Sequence, residues 1–390
     1  MLAYRSFSLR QRWSEWPSRG YFCAGGCATF RAFSPRGSTP DLPLPLRTVP
    51  MLTLDTLNAI SLTRRPMGQV IFASGVLTPN FKNPLTRTDI RIEGMEKLPR
   101  DRPVIFAMNH TDRYNYWPFQ WRLWRDEGMF TTTWVKGKYY NNPAIQTFMI
   151  KMNNLAVPSR GYLITADAVR LLGRPPAERA YRMVRKAVDS GSTDTRALRE
   201  KAAEEGVLSD VVALLDTPRD LLGLNFDPQT HNYLERIAEL FKQMMDRFVE
   251  LNEEAFDIGL HVLVFPEGTR SVRLQQGRTG LAQMALRMKA TVVPVGCNGS
   301  DLAYPGNSPL SSGGTIVYRL GEPMTPEGDL KPFAIEEDYT PFTLEAERDH
   351  AEAFRGMTDL VMDRINDLLD ERHQRLEGHE GKVKGANRFI

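Results

Sequence analysis

Two short stretches of this sequence carry the residue types that do chemistry. One is Asn109-His110, and the other is Phe265-Pro266-Glu267-Gly268-Thr269-Arg270-Ser271. A histidine changes charge near neutral pH and its second ring nitrogen can be steadied by a neighbour, so it suits general-base work on a hydroxyl. In the second stretch Pro266 fixes a turn and Gly268 lets the backbone approach a ligand closely. Thr269 and Ser271 add hydroxyl donors, and the Arg270 guanidinium is a fork that matches phosphate. Together they describe a base beside an anion cradle. Each also has a plainer reading: a structural histidine at a strand end, and a strand-to-helix turn with a solvated arginine.

Both stretches need elements that aim them at one place. Residues 104–108 form an unbroken apolar run, as a strand buried on both faces should. That strand delivers Asn109 and His110 to its C-terminal end, the edge at which open α/β sheets bind ligands. Residues 262–265 form a second such run and lead directly into the loop. Further strands are expected at 89–93, 130–135, 155–157, 291–295 and 315–320. Tyr233, Ile237, Leu240, Met244, Phe248, Leu251, Ala255 and Ile258 recur at steps of three and four, which predicts a helix over about 230–258 closed by Gly259. That stripe reads either as core or as a lipid-binding face. A helix is also expected over about 280–289, after the loop.

The alternation of strand and helix over residues 87–321 predicts an α/β fold. Its expected form is a central mixed sheet flanked by helices, with a long helical insertion and a C-terminal helix. The segments are a leader at 1–50, a helical segment at 51–80 and a main domain at 81–335 with the insertion at 161–258. A C-terminal helix at 340–372 and a polar tail at 373–390 follow. Arg64-Arg65-Pro66 should break the helical segment, which reads either as an interfacial helix or as one packed on the domain. The leader holds seven Arg, six Ser and no Lys, and fits either a transit peptide or an upstream extension with Met51 opening the functional chain.

Charge and composition narrow the function classes. The chain carries a formal +3, the first 50 residues carry +5, and the rest therefore carries −2. A nucleic-acid partner loses its electrostatic footprint. Cys23 and Cys27 lie in the leader and only Cys297 in the body, so neither a disulfide framework nor a cysteine-rich metal site is expected. His231, His261, His350, His373 and His379 have no ligand spacing, and no metal is called. No run of 18 apolar residues offers a bilayer span.

Asn109-His110 followed by residues 265–271 resembles the glycerolipid acyltransferase family, which includes lysophosphatidic acid and glycerol-3-phosphate acyltransferases. The resemblance covers roughly residues 87–325 and extends to Lys136-Gly137-Lys138, to the short strand ending at Arg160, to residues 292–296, and to Gly277, Gly280 and Gly321-Glu322-Pro323. It implies that His110 deprotonates an acceptor hydroxyl, which attacks an acyl thioester directly. Arg160 and Arg270 would hold the acceptor's phosphate, while Glu267, Gly268 and Thr269 order the glycerol end and the loop backbone. No cofactor is implied beyond acyl-CoA or acyl carrier protein as co-substrate. The implied partners are that thioester, a lysophospholipid or glycerol phosphate acceptor, and a membrane surface. The implied location is cytoplasmic, or peripheral on the cytoplasmic membrane face.

The sequence departs from the family pattern at two points. The family has Asp five residues after the histidine, and this chain has Asn115. In the serine-protease template an equivalent Asp-to-Asn change costs about 10⁴ in rate, largely through the wrong tautomer. Asp112 would reach the imidazole if the chain turns sharply, and otherwise reads as a helix N-cap or surface carboxylate. Three outcomes stay open: Asp112 as orienting acid, Asn115 as neutral orienter, or a domain that binds lipid precursors without turnover. The second departure is the length of the insertion, which reads as a lid, a lipid-facing surface, a partner site or a stabilising addition.

Overall fold

The computed structural model describes residues 50–376, so the expected leader and residues 377–390 of the expected tail lie outside the described residues. The described residues open with α1 (Leu54–Asn58), pass through a non-helical stretch that contains Arg64-Arg65-Pro66, and continue as α2 (Met67–Phe72), a π-turn (Ala73–Leu77) and α3 (Thr78–Lys82). β1 (Thr88–Glu93), β2 (Ile105–Met108), α4 (Tyr116–Glu127), β3 (Thr131–Lys136), α5 (Pro143–Lys151) and β4 (Asn154–Val157) follow. Next come α6 (Arg160–Leu172), α7 (Glu178–Asp189), α8 (Thr195–Glu204), α9 (Leu208–Asp216), the hairpin β5 (Arg219–Leu221) and β6 (Leu224–Phe226), and α10 (Tyr233–Asp257). The chain then runs through β7 (His261–Val264), α11 (Gly280–Arg287), β8 (Val292–Asn298), α12 (Ser300–Ala303), β9 (Gly314–Leu320), α13 (Leu344–Asp349) and α14 (Ala351–Asp367).

Seven strands form one mixed sheet in the order β1-β9-β8-β2-β7-β3-β4, with every pair parallel except β8–β9. β2 is the middle strand, paired with β7 through Ile105↔Val262 and with β8 through Ile105↔Val292. Its side chains alternate between two cores. Ile105 and Ala107 join the core under α6, α10 and α14, whereas Phe106 and Met108 join the one under α4. Burial on both faces is why the run carries no polar residue.

The insertion belongs to the first of those cores. Leu163, Val184, Val211, Phe226 and Leu240 pack in the same cluster as Ile105 and Val262. The stripe on α10 is core, with Tyr233, Ile237, Leu240, Met244, Phe248, Leu251 and Ala255 all buried. The 161–258 segment therefore packs on one sheet face, which it covers together with α14.

Four features depart from the sequence-based expectation. The hairpin β5–β6 has strands of three residues, too short to show a period. α4 carries Pro118 and five aromatic residues, which obscures it, but the proline sits in the first turn where its missing N–H is not needed. The C-terminal helix is divided at His350 into α13 and α14. The chain also stays packed beyond residue 372: His373 is buried, its Nδ1 lies 2.8 Å from the Val272 carbonyl, and its Nε2 accepts from the Gly299 N–H at 3.3 Å. Among the described residues no helix is long and apolar enough to cross a membrane.

Candidate active site

The sheet order places β7 directly beside β2, so the loop after β7 and the residues after β2 leave the same edge together. Phe265 stacks on the His110 ring at 4.1 Å between centroids and 19° between planes. Glu267 ties the two segments: Oε1 accepts the His110 N–H at 2.7 Å and Oε2 accepts the Gln275 N–H at 2.9 Å. The Ser271 N–H donates back to the His110 carbonyl at 2.8 Å. Glu267 thus ties the backbone after β2 to the backbone of the loop. Burial pushes its carboxyl up to about 8 against the opposing pull of the two N–H donors.

Gly268 sits in the left-handed region at φ 63°, and its N–H closes the turn onto the Phe265 carbonyl at 3.0 Å. A Cβ there would also meet the Arg278 side chain at 3.0 Å. Thr269 and Arg270 are exposed at the loop tip.

The His110 ring is half-buried, with Nδ1 3.1 Å from Asn115 Oδ1. Asn115 is fully buried, and its Nδ2 donates to the Asn109 carbonyl at 2.8 Å. A carbonyl can only accept, which fixes the amide with its oxygen toward the imidazole. The oxygen in turn requires a proton on Nδ1, which leaves Nε2 with its lone pair. Asn109 is itself held by an amide bridge to Cys297 on β8, accepting the N–H at 2.7 Å and donating to the carbonyl at 3.0 Å. Tyr318 on β9 donates its hydroxyl proton to the Asn115 carbonyl at 2.5 Å. The sequence did not single out Asn109, Tyr318 or Phe265 for these tasks, and only the adjacency of Asn109 to His110 hinted at one of them.

Asp112 is engaged elsewhere. Its Oδ2 accepts from Thr111 Oγ1 at 2.9 Å and its Oδ1 from the Tyr114 N–H at 2.7 Å, so its carboxylate closes the turn after the strand and does not bond the imidazole. Arg160 is also engaged by its neighbours. It opens α6, donates to the Phe342 carbonyl at 3.2 Å, lies 3.8 Å from both Asp189 and Glu347, and rests 4.4 Å above the Phe241 ring. Carboxylates of α7 and α13 thus flank the guanidinium that was expected to share the acceptor's phosphate with Arg270.

The electrostatics around His110 are cationic. Burial pushes its pKa down to about 3, the Asn115 hydrogen bond opposes that, and the Arg270 and Lys136 charges add to the lowering. Lys138 is also lowered, first by burial and then by Arg270 and Arg113. A neutral, oriented imidazole beside several positive charges can accept a proton from a hydroxyl whose owner carries negative charge.

Residues 227–298, from just before α10 to the end of β8, match the family described as Acyltransferase. No curated protein matches the chain. Among solved structures, the 1-acyl-sn-glycerophosphate (LPA) acyltransferase PlsC from Thermotoga maritima aligns at 14% identity, covering 76% of this chain and 76% of that chain with a TM-score of 0.35. A likeness that loose carries no weight in assigning chemistry.

Proposed function

We propose that this acyltransferase-family chain moves an acyl group from a thioester to the hydroxyl of a glycerophosphate-type acceptor such as lysophosphatidic acid. His110 acts as base and Asn115 as its neutral orienter. The observation that carries this reading is the fixed Asn115 amide, which selects the tautomer a base needs. His110 Nε2 takes the hydroxyl proton as the oxygen bonds to the thioester carbonyl carbon. The tetrahedral intermediate then collapses, the carbon–sulfur bond breaks, and the proton passes from Nε2 to the departing thiolate. An imidazole whose pKa burial pushes down to about 3 is a weak base. A bound phosphate beside Arg270 and Lys136 offsets two of the charges that depress it, so the acceptor raises the basicity of its own catalyst.

The thioester donor in this reading is acyl-CoA or acyl carrier protein. The acceptor or its membrane meets the protein, in this reading, at the face formed by α2, the π-turn and α3. Met67 and Ile71 are 64% and 67% exposed there, and residues 56–88 hold four basic residues and no acidic one. Phe72 on that face contacts Trp117 at 5.0 Å, and Tyr116 lies 6.3 Å from Phe265, which stacks on His110.

The test is an acyl-transfer assay with acyl-CoA and acyl carrier protein as donors and lysophospholipids or glycerol 3-phosphate as acceptors. His110→Ala should lose about 10²–10⁴ of the rate. Undiminished transfer by that folded variant would end the assignment of His110, and no transfer by the wild type would favour a domain that only binds lipid precursors.

A further inference from the structure

We propose that Arg113 and Lys138, acting with Arg270, hold the anionic group of the acceptor, so that Arg113 takes the part the family resemblance gives to Arg160. This rests on the acyl-transfer reading above. The sheet order supplies the placement. β2, β7 and β3 are consecutive, and beyond their C-terminal ends the chain carries Arg113, Arg270 and Lys138 respectively. Arg160 follows β4, the edge strand one place further out.

Arg113 is the arginine whose surroundings call for an anion. It projects from a rigid turn, because Asp112 before it accepts the N–H of Tyr114 after it. Its Nε is shielded from solvent and meets no hydrogen-bond partner among the described residues. Arg122, Arg170 and Arg247 also bury an unpartnered nitrogen, but each is already ion-paired, to Asp126, Asp220 and Glu250. No ion pair is found for Arg113 among the described residues, and its charge acts on Lys138, as does that of Arg270. A buried guanidinium donor left unsatisfied is costly, and a phosphate oxygen would satisfy it with a charge-assisted bond. Arg160 has no such vacancy, being taken up by the Phe342 carbonyl, Asp189, Glu347 and the Phe241 ring.

The same chemistry could serve a phosphate of the acceptor or one of the donor coenzyme, and kinetics separate the two. Arg113→Ala should raise KM for lysophosphatidic acid about tenfold or more, as for loss of one charge-assisted contact. KM for acyl-CoA and KM for monoacylglycerol, the same acceptor without phosphate, should stay within about twofold. Arg113→Lys should recover part of the loss, since it keeps the charge without the fork. Arg160→Gln should leave the acceptor KM unchanged. The proposal is overturned if Arg113→Ala leaves the KM for lysophosphatidic acid unchanged, weakens both acceptors equally, or weakens acyl-CoA alone. It is equally overturned if Arg160→Gln produces the large effect. Should the wild type transfer to no acceptor, glycerol 3-phosphate binding by calorimetry decides: weaker binding by Arg113→Ala supports the subsite, and equal binding, or none by the wild type, rejects it.

Discussion

Asn115 occupies the place of an expected carboxylate, and its surroundings explain why an amide fits there. Its Nδ2 faces the Asn109 carbonyl, so an aspartate would set a second oxygen against that carbonyl in a fully buried position. Asn115→Asp is therefore expected to lower the melting temperature and not to raise kcat; a more active and equally stable variant would contradict this account of the amide. The depressed pKa of His110 gives a second prediction. The free enzyme keeps this base neutral down to about pH 3, so kcat/KM should not fall along a limb near 6.5 as pH drops from about 8 to 5. The acid limb of kcat should lie at higher pH, because bound anion raises the pKa. The accompanying stability runs in the same sense. A folded-state pKa below the unfolded one means stabilisation that is complete above about 6.5 and lost as pH falls toward 3.

At the scale of elements, the insertion is held together internally by one buried cluster. Asp167 on α6 pairs with Arg219 on β5 at 2.5 Å, with both side chains at most 2% exposed, and accepts the Tyr233 hydroxyl of α10 at 3.0 Å. Three elements thus meet at a single carboxylate. Asp167→Ala leaves the Arg219 charge buried and unpaired, a change expected to cost about 3–5 kcal/mol. Denaturant titration checks this, and a loss under about 1 kcal/mol would show that Arg219 finds another partner or reaches water. The central strands β2 and β7 were legible in the sequence because burial on both faces is written as a local run of apolar residues. The hairpin β5–β6 and the helix α4 were not, since neither shows a local period strong enough to separate it from loop.

For the whole molecule, the face presented by α2, the π-turn and α3 combines exposed apolar residues with an uninterrupted absence of acidic ones over 56–88. Leu85, at 91% exposed, and Val76, at 46%, add to Met67 and Ile71. Attraction to anionic lipid contributes about 1 kcal/mol per basic residue near a membrane surface. The combined variant Met67→Glu with Ile71→Glu is expected to sediment less with phosphatidylserine-containing vesicles than the wild type. Neutral vesicles should bind the wild type more weakly, and indifference to both changes would remove this face from the membrane reading.

The sequence alone determined the α/β alternation, the two strands that converge, and the His110 and 265–271 stretches they carry, because each of these is encoded by neighbours in the chain. It also placed the α10 stripe to within a few residues. Which side chain hydrogen-bonds the His110 ring, and which arginines are taken up in ion pairs, was decided only by tertiary structure. Asp112 and Asn115 are equally plausible in sequence until Tyr114 and Thr111 claim the one and Asn109 fixes the other. Arg160 and Arg113 likewise exchange prospects through partners far along the chain, Glu347 and Phe342 among them. Hydrogen-bond and charge satisfaction are long-range sums over whatever the fold brings together, and no local pattern of residues contains them.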